Sequence, residues 1–89
     1  MSLHDIPTGN YDVYFDYRKR NDAAQFSIWQ RQTQLSEWMD AYAPQSEKLS
    51  MQKIGHIALT SLNNSLSFRF KTTGQRNKFI LTRIVLVRK

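Results

Sequence analysis

The sequence predicts an α+β fold, a single small domain in which one amphipathic helix packs on a four-stranded, mainly antiparallel sheet. Alternating apolar and polar residues near the start and in the last third of the chain indicate strands. The stretch between them carries apolar residues at helical spacing. A chain of 89 residues has room for one domain. We therefore expect residues 1–89 to fold as one unit in the order β-α-β-β-β, with residues 1–10 forming an irregular N-terminal segment.

The first predicted strand covers residues 11–18, whose side chains alternate between two faces. One face carries tyrosine, valine and phenylalanine, and the other carries two aspartates, a tyrosine and an arginine. Aromatic and β-branched residues at a period of two are typical of a strand with one buried face. The predicted inward residues are Tyr11, Val13, Phe15 and Tyr17.

The predicted helix runs from Asp22 to Ala43. Asp22 is a suitable N-cap, Gln25 could complete a capping box, and Pro44 disfavours helical backbone in the residue before it. Steps of 100° per residue place six apolar residues in one stripe that would face the core. These are Ala24, Ile28, Leu35, Trp38, Met39 and Tyr42. Two further aromatic residues, Phe26 and Trp29, fall outside this stripe, so the helix leaves them unexplained.

Three more strands are predicted after a polar connection over residues 44–52. Residues 54–62 form the weakest of them, residues 65–71 alternate cleanly, and residues 79–87 form the last. The basic loop 72–77 would close a hairpin between the last two strands. The three strands should form an antiparallel meander, with the first strand added beside it through the helix.

The last predicted strand is apolar on both faces, which indicates a central position in the sheet. A single helix covers only one face of a four-stranded sheet. The second face would therefore be covered by the N-terminal segment, by a second copy of the chain or by a partner protein. A homodimer is one of our predictions, because closed two-fold dimers are the commonest oligomers.

The composition excludes several classes of protein. The chain has no cysteine, so disulfides, thiolate catalysis, iron–sulfur clusters and cysteine-ligated zinc are ruled out. The longest apolar run, residues 84–87, is far shorter than a membrane helix requires. The N-terminus lacks the basic and apolar regions of a secretion signal. We therefore expect a cytoplasmic protein with no cofactor and no membrane partner.

The sequence offers little that indicates catalysis or metal binding. The two histidines, His4 and His56, lie far apart and have no motif around them. Asp12 and Asp16 would share a strand face about 13 Å apart, beyond the separation that paired carboxylates need for acid–base catalysis. They are better explained as partners of a basic neighbour such as Arg83. We predict no catalytic or metal-binding residue, and hence a protein that is not an enzyme.

The charge is divided unevenly along the chain. Residues 1–47 carry a net charge of −3, whereas residues 48–89 carry nine basic residues and no acidic one. Four of the nine should cluster at the predicted hairpin, and two end the last strand. These six predicted nucleic-acid-binding residues are Arg69, Lys71, Arg76, Lys78, Arg88 and Lys89. Such a cluster suits the phosphates of DNA or RNA, or an acidic protein surface.

The exposed aromatic residues suggest a second surface. Tyr14, Phe26 and Trp29 are predicted to lie outside the core, away from the basic hairpin, where they could anchor a protein partner. The alternative for Phe26 and Trp29 is that they pack under the N-terminal ten residues. The predicted function is therefore a non-enzymatic binding protein whose basic hairpin binds nucleic acid. The alternative is a protein–protein adaptor or inhibitor, such as an accessory protein of bacteria, a phage or a mobile element.

A third hypothesis is a small ribonuclease without a strict motif, as in some bacterial toxins that cut RNA with a sheet surface. Four side chains with a tyrosine would form its active surface. These are Arg69, Arg76, Arg83 and His56.

Overall fold

The computed structural model describes residues 2–89, and these residues form two antiparallel β-sheets with no helix. The seven strands are β1 (Gly9–Lys19), β2 (Gln25–Gln30), β3 (Thr33–Gln34), β4 (Met39–Asp40), β5 (Glu47–Leu59), β6 (Ser67–Lys71) and β7 (Ile80–Arg88).

The first sheet contains the three longest strands, in the order β5-β1-β7. The central strand β1 pairs with β5 from Gly9 opposite Leu59 to Lys19 opposite Glu47. Its inward residues are those that the alternation predicts, and all four are buried. The strand predicted over residues 11–18 is therefore confirmed, because the period of two reports directly on a half-buried strand.

The second sheet is built around β2, which has β6 on one edge and β3 and β4 on the other. β3 and β4 are two pieces of one interrupted strand. At the break, the Leu35 amide donates to the Ile28 carbonyl over 2.9 Å, while the Ile28 amide donates to Ser36 Oγ over 3.0 Å. The buried side chain of Ser36 thus replaces one backbone acceptor, so the Ile28 amide keeps a hydrogen bond at the break.

Aromatic side chains form the core between the two sheets. Phe15 of β1 stacks on Phe26 of β2 with ring centroids 6.0 Å apart, and Phe68 of β6 lies 5.7 Å from Phe15. Phe79, just before β7, lies 4.5 Å from Phe26. Leu3 is also buried in this core, and its amide donates to the Asn64 carbonyl. The N-terminal segment therefore packs on the sandwich at that point.

The predicted helix over residues 22–43 is wrong, and with it the α+β fold class. These residues form the hairpin of β2 with β3 and β4. Phe26 and Ile28 are both fully buried. Residues two apart lie about 200° apart around a helix but on the same face of a strand. The position of Phe26 outside the helical stripe was thus the signal that this segment is a strand.

The predicted meander and the hairpin closed by residues 72–77 are also wrong. β6 pairs with β2 and β7 pairs with β1, so residues 72–77 cross between the sheets. β7 lies at an edge of the first sheet rather than at its centre. Its inward face packs partly on the core, while its outward apolar residues remain partly or fully exposed. Apolar residues on both faces therefore did not mark a central strand.

Gly55 of β5 is required by the close approach of the two sheets. A Cβ atom at this position would lie 2.7 Å from the Leu35 carbonyl oxygen. Real side chains do not tolerate that contact, so the glycine that weakens this strand in the sequence allows the second sheet to pack over it.

Candidate nucleic-acid interface

Three basic side chains, two on the outward face of the second sheet and one in the turn beside it, are each held over an aromatic ring. Arg69 lies over Trp29, Lys71 lies over Trp38 and Arg76 lies over Tyr42. We call these six residues the aromatic–cation face.

Arg69 and Trp29 form the closest of the three pairs. The Arg69 Cζ atom lies 3.7 Å from the centroid of the Trp29 ring. Trp29 Nε1–H donates to Ser27 Oγ over 2.6 Å, which fixes the ring on the sheet. Ser27 is directly opposite Arg69 in the ladder, so Arg69 and Trp29 are diagonal neighbours on one face. A cation over a ring at an exposed site contributes about 0.5–1 kcal/mol.

Lys71 crosses β2 to reach the opposite edge of the sheet. It lies opposite Gln25, which in turn lies opposite Asp40 of β4. Its Nζ is 4.4 Å from the centroid of Trp38, the residue just before β4. The irregular connection between β3 and β4 therefore places Trp38 where a lysine from β6 can cover it.

Arg76 extends the face beyond the start of β2. Its Cζ is 4.8 Å from the Tyr42 ring, its Nε donates to the Ala23 carbonyl over 2.9 Å, and it pairs with the carboxylate of Asp40. Arg76 follows a tight turn in which Gly74 has a φ of 51°, a conformation that glycine adopts at little cost. Arg76 is thus the most firmly held of the three cations.

Three basic residues in or beside the first sheet are neutralised by aspartates of β1. On the first sheet Arg83 pairs with Asp16 over 2.9 Å, and both Lys53 and Lys89 reach Asp12. The expectation that these two aspartates balance basic neighbours is confirmed. Within residues 2–89, by contrast, Arg69 and Lys71 take part in no ion pair. Positive charge without a carboxylate partner therefore remains on the aromatic–cation face.

The six basic residues predicted to bind nucleic acid do not form one patch. Arg69, Lys71 and Arg76 share the aromatic–cation face, and Lys78 is exposed in the segment that pairs with Ala23. The other two are in the first sheet, where Arg88 donates to the Thr8 carbonyl and lies 5.9 Å from the Tyr11 ring. Lys89 pairs with Asp12.

The three aromatic residues predicted to anchor a partner are dispersed. Phe26 is fully buried in the core and is not exposed to a partner. Tyr14 lies on the outward face of the first sheet, opposite Lys53 and Val85. Trp29 alone belongs to the aromatic–cation face, so the prediction that exposed rings and basic residues lie on separate surfaces is wrong for it.

The residues of the ribonuclease hypothesis are not brought together. Arg69 lies on the second sheet and Arg76 in a turn beside it. Arg83 and His56 belong to the first sheet, where His56 is opposite Asp12. In the described chain, no group of three or more histidine or acidic residues could hold a metal ion. Nor does any helix there have the length and apolar character needed to cross a membrane.

Sequence reasoning missed Trp38 and Tyr42 as surface residues, because the helical stripe assigned both of them to the core. In the structure Met39 turns inward opposite Phe26, so Trp38 turns outward. A strand pattern over residues 38–40, with one inward residue between two outward ones, is too short to be recognised in the sequence alone.

Comparison with known proteins gives a family and no activity. A family model described as a domain of unknown function, DUF8441, matches residues 1–89. The chain belongs to the DUF8441 family. No curated protein and no solved structure matches the chain. The surface of this DUF8441 member is therefore the basis for a proposal about its function.

Proposed function

We propose that this protein binds single-stranded nucleic acid through the aromatic–cation face. One observation carries the proposal: three cations lie over three aromatic rings on and beside the outward face of one sheet. Proteins that bind single strands combine basic residues that follow the backbone with rings on which bases stack.

The pairing of cations with rings prepares the cations for such a ligand. A guanidinium over a ring keeps its N–H edges directed away from the ring, where they can donate to phosphate oxygens. Its second face can stack on an unpaired base. Ordering a long side chain on binding costs about 0.5–1.5 kcal/mol. Because Arg69 and Lys71 are already held over rings, part of that cost is paid during folding.

A single strand fits this face better than a duplex. Double-stranded DNA is read in its major groove by a helix or a protruding two-stranded ribbon, whereas this surface is the broad face of a sheet. Aromatic side chains stack on bases only where the bases are unpaired. Single-stranded DNA and RNA share these chemical features, so the proposal includes both as ligands.

Charge reversal on the aromatic–cation face provides the test. We expect the double variant Arg69→Glu/Lys71→Glu to weaken binding to a labelled single-stranded oligonucleotide at low salt by at least about 100-fold, since each charged hydrogen bond contributes about 1.5–3 kcal/mol. Fluorescence anisotropy measures the affinity. The control is Lys48→Glu, an exposed residue of the first sheet, which should reduce affinity only slightly through its long-range charge.

Two results would contradict the proposal. One is a wild-type protein that shows no salt-dependent binding to single-stranded DNA or RNA. The other is an equal loss of affinity in Lys48→Glu and in the double variant, which would indicate nonspecific attraction to a basic protein. An acidic protein surface would then be the better candidate partner.

We propose the cytoplasm as the compartment, supported by the cysteine-free composition. A fusion of the full chain to a fluorescent reporter in its host would test this. Fluorescence confined to the cell envelope would contradict it.

A further inference from the structure

β7 has a free edge in the first sheet, and this edge is regular over most of the strand. β7 pairs with β1 on one side, and in the described sheets its other side has no strand beside it. From Arg83 to Arg88 the pairing with β1 is regular. Apolar residues occupy both faces of this stretch, including Val87, which is 43% exposed.

The sandwich is also open along the same side. Phe79, just before β7, contacts both Phe26 of β2 and Phe70 of β6. Phe70 at the edge of the second sheet is 45% exposed, and Ile84 and Leu86 of β7 are only partly buried. The apolar core is therefore incompletely covered between β6 and β7.

The opposite edge of the first sheet is formed by β5, and irregularities in this strand protect it from pairing. β5 has two register shifts against β1, and Met51 adopts a φ of 51° within the second of them. Bulges of this kind stop an edge strand from pairing with another chain. β7 has one shift, next to Thr82, and beyond it no such protection up to Arg88.

The charges along β7 favour a second copy over an acidic partner. Arg83 is paired with Asp16, and Lys89 with Asp12. Arg88 donates to the Thr8 carbonyl, at the end of the strand. The positive side chains of β7 are thus held by groups of their own sheet. An acidic peptide would have to compete for these cations, whereas two copies could pair without bringing unneutralised charges together.

We propose that two copies of this chain pair antiparallel along β7 to form one continuous six-stranded sheet. A two-fold axis that places Val85 opposite Val85 of the partner subunit keeps the pairing centred on the regular stretch of β7. Ile84 then lies opposite Leu86 of the partner subunit on the inward face. On the outward face, Val87 lies opposite Arg83 of the partner subunit, so that no two like charges are directly opposed.

The same axis stands perpendicular to the paired sheets, so the second sheet of each copy lies on the same side of the dimer. Ile84 and Leu86 are only partly buried in one copy. At this axis, Ile84 and Leu86 of each copy lie against their counterparts of the partner subunit.

The first test is the oligomeric state of the full chain by sedimentation equilibrium. We expect the wild type to have about twice its 10.5 kDa chain mass. Val87→Lys should raise the dissociation constant at least about tenfold, because each introduced lysine lies opposite an arginine. The control Leu62→Lys changes a side chain that is 83% exposed and remote from β7, and should leave the dimer intact. A monomeric wild type at high concentration would overturn the proposal.

The second test uses the absence of cysteine to fix the register. Val85→Cys places one thiol on the proposed axis, where the two Cβ atoms are close enough for a disulfide. Val87→Cys is the control, because its two copies would lie about 13 Å apart along the paired strands. Oxidation should cross-link Val85→Cys and leave Val87→Cys as separate chains. Equal cross-linking of the two variants, or none in Val85→Cys, would overturn the proposed pairing.

Discussion

Asp16 organises the most irregular point of the first sheet. Its Oδ1 accepts a hydrogen bond from the Met51 amide over 2.7 Å, and its carboxylate pairs with Arg83. Its own carbonyl accepts from Thr82 Oγ1. Register shifts occur next to it on both neighbouring strands. One side chain therefore satisfies backbone and charged groups that the irregular pairing leaves without strand partners.

Asp16→Asn should make the free energy of unfolding less dependent on pH between 7 and 3. The Met51 amide, together with the charge and hydrogen bond of Arg83, holds the pKa of Asp16 below its usual value. A carboxyl whose pKa is lowered by folding stabilises the native state above its unfolded pKa of about 3.9, and this is lost as the pH falls through the folded value. We expect wild type to exceed Asp16→Asn in unfolding free energy at pH 7, and the difference to shrink toward pH 3.

Urea denaturation at the two pH values measures this difference. The matched control is Asp5→Asn, since the Asp5 side chain is 90% exposed. A gap between wild type and Asp16→Asn that is equally large at pH 7 and at pH 3 would contradict the ionic role of Asp16.

At the scale of elements, the sequence predicted strands where long segments alternate and misassigned them where strands are short. Apolar and polar residues alternate along β1, and the same alternation in β6 places Phe68 on the inward face. The hairpin of β2 reverses at Arg31, which has a φ of 55° without being glycine or asparagine. No turn signal marked that reversal, so residues 22–43 were predicted as one continuous helix.

Phe26→Ala distinguishes the strand from the predicted helix. On the helix Phe26 lies outside the core stripe, and its truncation would change stability by less than about 0.5 kcal/mol. In the structure its ring is fully buried and contacts Phe15, Tyr17 and Phe79, so we expect a loss of about 3–5 kcal/mol.

Chemical denaturation measures the loss, with Leu62→Ala as the exposed control. A Phe26→Ala variant as stable as Leu62→Ala would contradict the packing of β2 in the core.

At the scale of the molecule, the sequence predicted the charge imbalance but not its division between two sheets. The acidic residues of β1 neutralise cations of β5 and of the C-terminal end, whereas Arg69 and Lys71 lie on the other sheet. That division depends on which strands pair. Strand pairing involves contacts between residues far apart in the chain, which local periodicity does not report.

The aromatic–cation face shows the same dependence on strand pairing. The sequence predicts a binding surface on the basic residues of β6 and predicts that Trp29 lies outside the core. Their juxtaposition arises because β6 pairs with β2. Trp38 joins them through the irregular connection between β3 and β4, which has no sequence signature. Candidate residues could therefore be named from the sequence, whereas the surface they form could not.

The intrinsic fluorescence of the protein tests the central claim most directly, because its two tryptophans, Trp29 and Trp38, both belong to the aromatic–cation face. Titration with an unlabelled single-stranded oligonucleotide should quench this fluorescence in a saturable manner. If Arg69, Lys71 and Arg76 each contact one phosphate, the log–log dependence of affinity on salt should have a slope of about −2. Fluorescence that stays unchanged at low salt, or an affinity that does not vary with salt, would contradict the claim.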